Sequence, residues 1–565
     1  MMIGIDLGTT NSMIAYWDGE GARVIPNALG EPHTPSVVSI DEDGSVLIGA
    51  AAKERLITHP QKTAAGFKRY MGTQKVFELD KHKFTPIDLS HFILKSLKQD
   101  AENYLGVPIN EAVISIPAYF HDSQRQATKQ AAELAGLKVE RLITEPTAAA
   151  LAYGLHEDAA PASFMVLDLG GGTFDVSVLE WFEGVMEVRA VAGDNRLGGD
   201  DFDTALTSLF CQRLGLSLQE ISTKLSGVLC RHAERAKIML SDSESAEISF
   251  HYDDKLYELT VTRKETAPIF EPLYRRLNMP IERVMQDLHL SASQLDAVVL
   301  VGGATRMPAM RGMVVKLFNK FPYNNIDPDK TVALGAAIQA ALIARDESLR
   351  EVVMTDVCPF TLGVETCKTG KEGRIIETGI FSPIIERNST VPLSRLQRYY
   401  ALHPGQEGMR FVVYQGEQRK VENNVKIGEV EIPLPKDESP SKCADVRFTY
   451  DVNGLLEVEV IVPATGMSKK LVIEQAPGAM TPEEIERRFS ELAELKIHPR
   501  DKTENRLLLA RGERLYETSV RDRRLAIEGA LARLAAVFDS QDEHVIKQTV
   551  SEIKEFFDHL EQITQ

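Results

Sequence analysis

A strand, a glycine-rich turn and a second strand occur twice in this chain, and that repetition restricts it to folds built from two similar halves. The first copy is Ile3-Gly4-Ile5-Asp6-Leu7-Gly8-Thr9-Thr10-Asn11-Ser12. The second is Val166-Leu167-Asp168-Leu169-Gly170-Gly171-Gly172-Thr173-Phe174-Asp175-Val176-Ser177, its Asp-Leu-Gly lying 162 positions further on. In each, an apolar strand delivers an Asp, the turn follows, and the next strand runs to a Trp and a turn, Trp17-Asp18-Gly19 and Trp181-Phe182-Glu183-Gly184. Glycines let backbone approach an anion closely, and successive N–H groups form an anion-binding concavity. Thr9, Thr10 and Thr173 add hydroxyl donors, and Asp6 and Asp168 stand where carboxylates can hold the water shell of Mg²⁺. Either turn alone is an ordinary tight connection; two facing each other would clamp a polyphosphate. Neither G-x-x-x-x-G-K-[ST] nor an intact G-x-G-x-x-G is present.

The 565 residues predict about three or four domains, and 43% hydrophobic with 26% charged residues is usual for a globular protein. Acidic residues exceed basic ones by 18, a field that repels nucleic acid and anionic membrane. No run reaches the about 18 apolar residues of a membrane span, and no signal peptide opens the chain, so the expectation is a cytoplasmic protein. Five scattered cysteines without a C-x-x-C pair read as reduced packing thiols.

Residues 1–350 alternate apolar strands with amphipathic helices, an α/β pattern, and 351–357 read as a linker between differently patterned regions. Residues 358–478 are strand-rich, with Arg410–Tyr414, Val425–Ile432, Val446–Tyr450 and Leu455–Val462 separated by turn residues such as Asn453-Gly454. Residues 479–565 are helical. Thr481-Pro482-Glu483-Glu484 supplies one helix start and Ser540-Gln541-Asp542-Glu543 a second, and Val545, Ile546, Val550, Ile553, Phe556, Phe557 and Leu560 recur at helical spacing. That stripe reads as the core of a small self-packed bundle rather than a partner-binding face.

A third glycine turn, Val299-Leu300-Val301-Gly302-Gly303-Ala304-Thr305-Arg306-Met307-Pro308, also follows an apolar strand, and Arg306 could stack on a purine. The loops IGIDLGTTNS, DLGGGTFDVS and VLVGGATRMP, with VISIPAYF, LITEPTAAALAYG, RLGGDDFD and AERAKIMLS between them, resemble the seventy-kilodalton heat-shock (DnaK-type) chaperone family over nearly the whole chain. The compact proportions look most like its short HscC-type bacterial members. The resemblance implies an actin-like ATPase domain of two lobes with a duplicated core, then an antiparallel β-sandwich and a short α-helical lid.

It further implies that Asp6, Gly8, Thr9, Thr10, Asn11, Gly170, Gly171, Gly172, Thr173, Asp175, Gly198, Gly199 and Asp200 surround ATP or ADP phosphates, Mg²⁺ and a second ion, K⁺. Catalysis falls to Lys68, Glu145, Asp168 and Thr173, with Asp6, Glu145 and Asp168 holding Mg²⁺ mostly through water. Glu234, Lys237, Ile238, Ser241, Gly302, Gly303, Arg306 and Asp329 match the nucleoside contacts. Pro117 and Arg125 resemble a relay, while Arg141 and Asp356 match docking positions for a J-domain cochaperone. Cys367, Ile380, Phe381, Ile384, Tyr399, Leu402, Met409 and Val413 align near an apolar pocket for extended client polypeptides.

Some positions depart from the family pattern. Ile238 replaces a usual arginine over adenine, Ala304 a serine, and Cys367 and Leu402 the usual arch of Met and Ala over the peptide. The linker is less leucine-rich than usual. Few residues separate Met71 from Thr85 or Ser241 from Thr260, so both outer subdomains are trimmed where exchange factors grip relatives, putting dependence on such a factor in question. The function implied is ATP-controlled binding and release of apolar peptide segments. A non-cycling ATP-bound relative, or a small-molecule kinase on the same scaffold, are the alternatives; the kinase gives no reason for the strand-rich region and lid.

Overall fold

The computed structural model describes residues 1–120, 122–153, 162–182, 185–217, 221–252, 255–323, 326–345, 353–369, 375–403, 405–435, 442–451, 454–473, 499–519, 521–541 and 543–562. The chain divides into two compact units, Met1–Phe360 with Arg387–Thr390, and Thr361–Glu386 with Val391–Gln565.

The first unit contains two sheets of matching topology. In one, Met2–Asp6 lies between a parallel neighbour, Glu111–Ile116, and an antiparallel one, Asn11–Trp17, which continues to Ala22–Ile25. In the other, Ala162–Leu169 lies between parallel Ala297–Val301 and antiparallel Phe174–Phe182, which continues to Val185–Asp194. The repeated sequence is therefore a repeated hairpin, with Asp6 opposite Met13 and Asp168 opposite Asp175. Glu183 and Gly184, of the second expected turn, lie outside the described residues. Central strands such as Val298–Val301 are buried throughout, as strands covered on both faces must be.

Two alanine-rich helices join the halves. Glu145–Ala152, which follows a strand of the first sheet, packs in the core of the second sheet against Phe164, Val166 and Leu179. Thr331–Ile343 reciprocates, placing Ala333 and Ala337 on Met13 and Ala15 of the first sheet. Their small side chains let the backbones nearly touch: a Cβ at Gly335 would stand 1.7 Å from the Ala148 carbonyl oxygen. The site loops therefore project from sheets pivoted on one tight helix pair. The two trimmed regions each fold as a short hairpin, Phe77–Leu79 with His82–Phe84 and Ser245–Tyr252 with Lys255–Thr262.

Residues 346–352 lie outside the described residues, but Val353–Val357 forms a strand, parallel to Val185–Asp194 with Val353 opposite Val185 and Thr355 opposite Glu187. The segment expected to link two regions thus extends the second sheet by one strand.

The second unit has two four-stranded antiparallel sheets, Ile375–Ile385, Leu362–Thr369, Gly408–Gln415 and Val425–Pro433 in one, and Leu393–Tyr400, Cys443–Tyr450, Leu456–Val462 and Met467–Ile473 in the other. Gly428 of the first approaches Leu471 and Ile473 of the second, and the Tyr399 and Phe411 rings meet across the sheets at 5.6 Å. The helices Thr503–Thr518, Arg521–Ser540 and Glu543–Gln562 pack around Leu508, Leu515, Ile527, Leu534, Phe538, Ile546, Ile553 and Phe557. The self-packed bundle is thus present, although Val545 of the expected stripe is 42% exposed.

The Thr481 helix start lies outside the described residues, and so does Asp542. Ser540 is the last residue of the preceding helix, its hydroxyl donating to the Val537 carbonyl. The left-handed Gln541, φ 55°, ends that helix by donating its N–H to Phe538, so the final helix starts at Glu543. Gln541 also clips the bundle to the sandwich. Its side-chain amide accepts from the Leu396 N–H at 3.3 Å and donates to the Leu396 carbonyl at 3.2 Å, on an edge strand.

Candidate functional site

Both phosphate-loop candidates are held by hydrogen bonds the motifs themselves do not reveal. In the first, Ser36 Oγ donates to the Gly8 carbonyl and shares a hydrogen bond with Ser12 Oγ, while Gly8 N–H donates to Ser12. Thr9 is buried, Thr10 Oγ1 is buried without a hydrogen-bond partner among the described residues, and Asn11 is exposed at the start of its strand. In the second, Gly170 N–H donates to the Thr173 carbonyl, and the helix Gly199–Leu214 starts directly on the loop, Gly199 and Asp200 N–H groups donating to the Gly170 and Gly171 carbonyls. A Cβ at Gly171 would strike Thr10 Oγ1, so the loops face each other in contact.

Lys68 lies between them, in the short helical turn Phe67–Tyr70, 4% exposed. Its Nζ donates to Glu145 Oε1 at 2.9 Å and stands 5.6 Å from the centre of the Phe120 ring. Glu145, at the first position of its helix with Pro146 next, is 7% exposed. Asp6 accepts from Ser115 Oγ at 2.7 Å, and Asp175 Oδ1 accepts from the Tyr119 N–H while its Oδ2 has no hydrogen-bond partner among the described residues.

The electrostatics are those of a site short of positive charge. Burial, reinforced by Glu145, raises the Asp6 carboxyl to about 6 against the pull of Lys68. Burial and the same Glu145 charge raise Asp175 to about 8, and burial with three neighbouring carboxylates holds Asp168 well above the usual range. Burial alone would lower Lys68, but Glu145 and Asp6 outweigh it and the ammonium is held charged. Four acids around one lysine suit a hard divalent cation. Among the described residues no three acidic, His or Cys side chains converge tightly enough to ligate an ion directly.

The proposed nucleoside residues gather on the second lobe. Glu234, Lys237, Ile238 and Ser241 share one face of the helix Thr223–Asp242. Lys237 Nζ donates to the Gly199 carbonyl at 2.9 Å and to Asp203 Oδ2 at 2.8 Å, and Gly199 borders Ala304, which connects this face to the phosphate loop. Gly302, with φ 82°, allows the third turn to press on the second: a Cβ there would stand 2.4 Å from the Leu169 carbonyl. Arg306 donates to Asp327 at 2.5 Å and Asp329 at 2.7 Å, and Ile238 is 59% exposed. Glu234 reaches across the cleft to Lys53 at 3.1 Å.

Pro117 ends the strand Glu111–Ile116, and its carbonyl accepts from Phe120 N–H. Arg125 is 8% exposed and donates Nε to the carbonyl of Phe120, whose ring lies under Lys68. Arg141 is lowered by burial, with the Asp356 carboxylate opposing, so those two sense each other. In the sandwich, Val413 faces Val364, Ile380 faces Thr366 and Phe381 faces Glu365, with Cys367 at a register shift beside them. Met409, Val413 and Phe381 are buried, whereas Leu402 is 42% exposed, and the Tyr399 hydroxyl, raised to about 12 by burial, shares a hydrogen bond with Ser382. Ile384 lies half-buried on the strand of Phe381. Sequence reading gave no role to Ser36, Ser115, Asp203 or Arg69, although Ser115 and Asp203 lie inside VISIPAYF and RLGGDDFD and Arg69 follows Lys68.

Paired loops, a buried lysine and carboxylates in excess form a site suited to a phosphorylated ligand with its cation. A family model described as Hsp70 protein matches residues 2–79 and 75–565. The chaperone protein DnaK of Thermotoga petrophila is 41% identical over 487 residues, 84% of this chain and 80% of that one. DnaK of Thermosipho africanus is 40% identical over 486 residues, 84% and 79% of the two chains. The chain belongs to the Hsp70 family of nucleotide-binding ATPase chaperones. No helix among the described residues is long and apolar enough to cross a membrane.

Proposed function

We propose that this protein hydrolyses ATP in the first unit and uses the nucleotide state to control its grip on extended apolar peptides in the second. The observation that carries the reading is the buried Lys68–Glu145 pair lying between the two facing loops. Asp6, Glu145 and Asp168 would hold Mg²⁺ through its waters, and the ion would neutralise phosphate charge there. With ATP bound, the loop N–H groups and Thr9, Thr10 and Thr173 hold the phosphates, and Lys68 orients a water in line with the γ-phosphorus. The oxygen–phosphorus bond to that water forms as the bond to the β-phosphate oxygen breaks, with Glu145 polarising the water. ADP and phosphate leave, the latter carrying the water oxygen.

The strand Val353–Val357 on the second sheet supports a linker that docks in one nucleotide state and releases in the other. Pro117 and Arg125, the latter hydrogen-bonded beside Lys68's own partner ring, would relay that state. Arg141 and Asp356 would receive a J-domain cochaperone next to the linker. The sandwich would bind peptide by main-chain hydrogen bonds and an apolar pocket near Met409 and Val413. The test is ATP hydrolysis by purified Lys68→Ala: nucleotide should still bind while turnover falls to background. Turnover at the wild-type rate would remove the assigned catalytic roles.

A further inference from the structure

We infer that Arg69 is a positioning residue for hydrolysis, the strut by which the first lobe sets the shape of the second phosphate loop. The inference rests on the reading of the cleft as an ATP site. Arg69 follows Lys68 in the turn Phe67–Tyr70, and that turn is anchored in the first lobe's core by Phe67 and Met71, each 1% exposed. Its side chain leaves that lobe. Nη2 donates to the Gly171 carbonyl at 2.9 Å and to Asp201 Oδ2 at 3.1 Å, with Asp200 Oδ2 at 3.5 Å.

The location is chemically specific. A cation at a helix N-terminus is opposed by the helix dipole, and here the helix Gly199–Leu214 begins with Asp200 and Asp201, which reverse that. Asp201 Oδ2 also accepts from Gly198 N–H at 2.8 Å, and the Gly171 carbonyl accepts from Asp200 N–H at 2.9 Å. One guanidinium nitrogen thus ties the loop carbonyl to the helix start that supports it, Nη2 donating to both acceptors. The seam between the loops lies beside the same group: a Cβ on Gly172 would lie 2.6 Å from Arg69 Nε and 2.6 Å from Thr9 Cγ2.

The mechanical effect follows from peptide planarity. The Gly171 carbonyl and the Gly172 N–H share one plane and point in opposite directions, so holding the carbonyl fixes the direction of the donor. Three successive glycines would otherwise sample many backbone conformations. Arg69 can hold the loop only while the lobes are together, and adjacent Lys68 reaches Glu145 from the same turn. Closure of the cleft therefore sets the loop donors and the catalytic lysine in one movement.

The test compares single-turnover ATP hydrolysis, ATP affinity and thermal midpoint for wild type, Arg69→Ala, Arg69→Lys and Glu54→Ala. Glu54 pairs with Arg231 in an exposed ion pair, and so controls for the loss of an ion pair that does not involve the loops. Arg69→Ala should slow hydrolysis by about tenfold to a hundredfold, the size of effect a small misplacement produces, with a smaller change in affinity. Arg69→Lys should recover part of the rate, because one N–H can still reach the Gly171 carbonyl, and Glu54→Ala should leave it unchanged. Hydrolysis by Arg69→Ala within about twofold of wild type, or an equal loss in Glu54→Ala, overturns the inference. A loss that Arg69→Lys does not recover, tracking the thermal midpoint, overturns it as well. A wild-type protein that does not hydrolyse ATP would instead sink the ATP reading beneath it.

Discussion

Asp175 carries a strongly raised carboxyl in the cleft, and replacing it with Asn should stabilise the nucleotide-free protein in a way that depends on pH. Its carboxyl is raised from 3.8 to about 8, first by burial and then by the charge of Glu145, and its Oδ2 lacks a hydrogen-bond partner among the described residues. Between those limits the folded state holds a proton that the unfolded state has lost, so stability falls as pH rises, by up to ~1.4 kcal/mol per pH unit. At pH 8 the full effect is ~5 kcal/mol, and water entering the open cleft reduces it to ~2–3 kcal/mol. Asp175→Asn removes the titration and keeps the carbonyl that accepts from Tyr119 N–H. Calorimetry on metal-free, nucleotide-free protein should show the wild-type transition of the first unit losing about 5 °C from pH 6 to pH 8. The variant's transition should fall less steeply over that range and lie higher at pH 8, the remaining slope coming from the raised Asp168. Mg²⁺ with nucleotide should flatten the wild-type profile too. A wild-type transition that rises from pH 6 to pH 8, or a variant with the same slope as wild type, refutes the reasoning.

Other perturbations test other parts of the structure. Gly335→Ala drives a Cβ into the Ala148 carbonyl and should destabilise the first unit by ~2 kcal/mol or more, read as a lowered calorimetric midpoint. Ile238→Arg offers a guanidinium to a bound purine and should tighten ATP binding by about fivefold, ~1 kcal/mol, with slower nucleotide release in stopped flow. Gln541→Ala removes both hydrogen bonds to Leu396 and should cost ~1 kcal/mol locally, seen as faster hydrogen exchange at the Leu396 amide.

The duplicated core was legible because its signal is local. Apolar strands, an Asp at the strand end and a glycine turn are contiguous in sequence, and both hairpins form in the same topology. The lid's core positions were also legible, since Ile546, Ile553 and Phe557 repeat at helical spacing and all three are buried. Its boundaries were not. Ser540-Gln541-Asp542-Glu543 marks a helix start, but nothing in those four residues shows that Ser540 also ends the helix before, with the left-handed Gln541 making the break. Val353–Val357 reads as linker because a strand is defined by the edge that receives it, and the edge is Val185–Asp194, far back in the chain. Long-range partners are illegible for the same reason: Arg69 and Gly171 are 102 residues apart, Asp6 and Ser115 109. Arg125 passes for a surface arginine until the fold folds its guanidinium against the Phe120 carbonyl.

The coupling between the two units is the claim on which the functional account stands, and peptide-stimulated ATP turnover by the full chain measures it most directly. Steady-state hydrolysis should rise on adding an unfolded apolar peptide together with a J-domain protein, while Lys68→Ala stays at background under both conditions. Turnover that peptide and J-domain leave unchanged would contradict the account, leaving an ATPase and a sandwich that do not communicate.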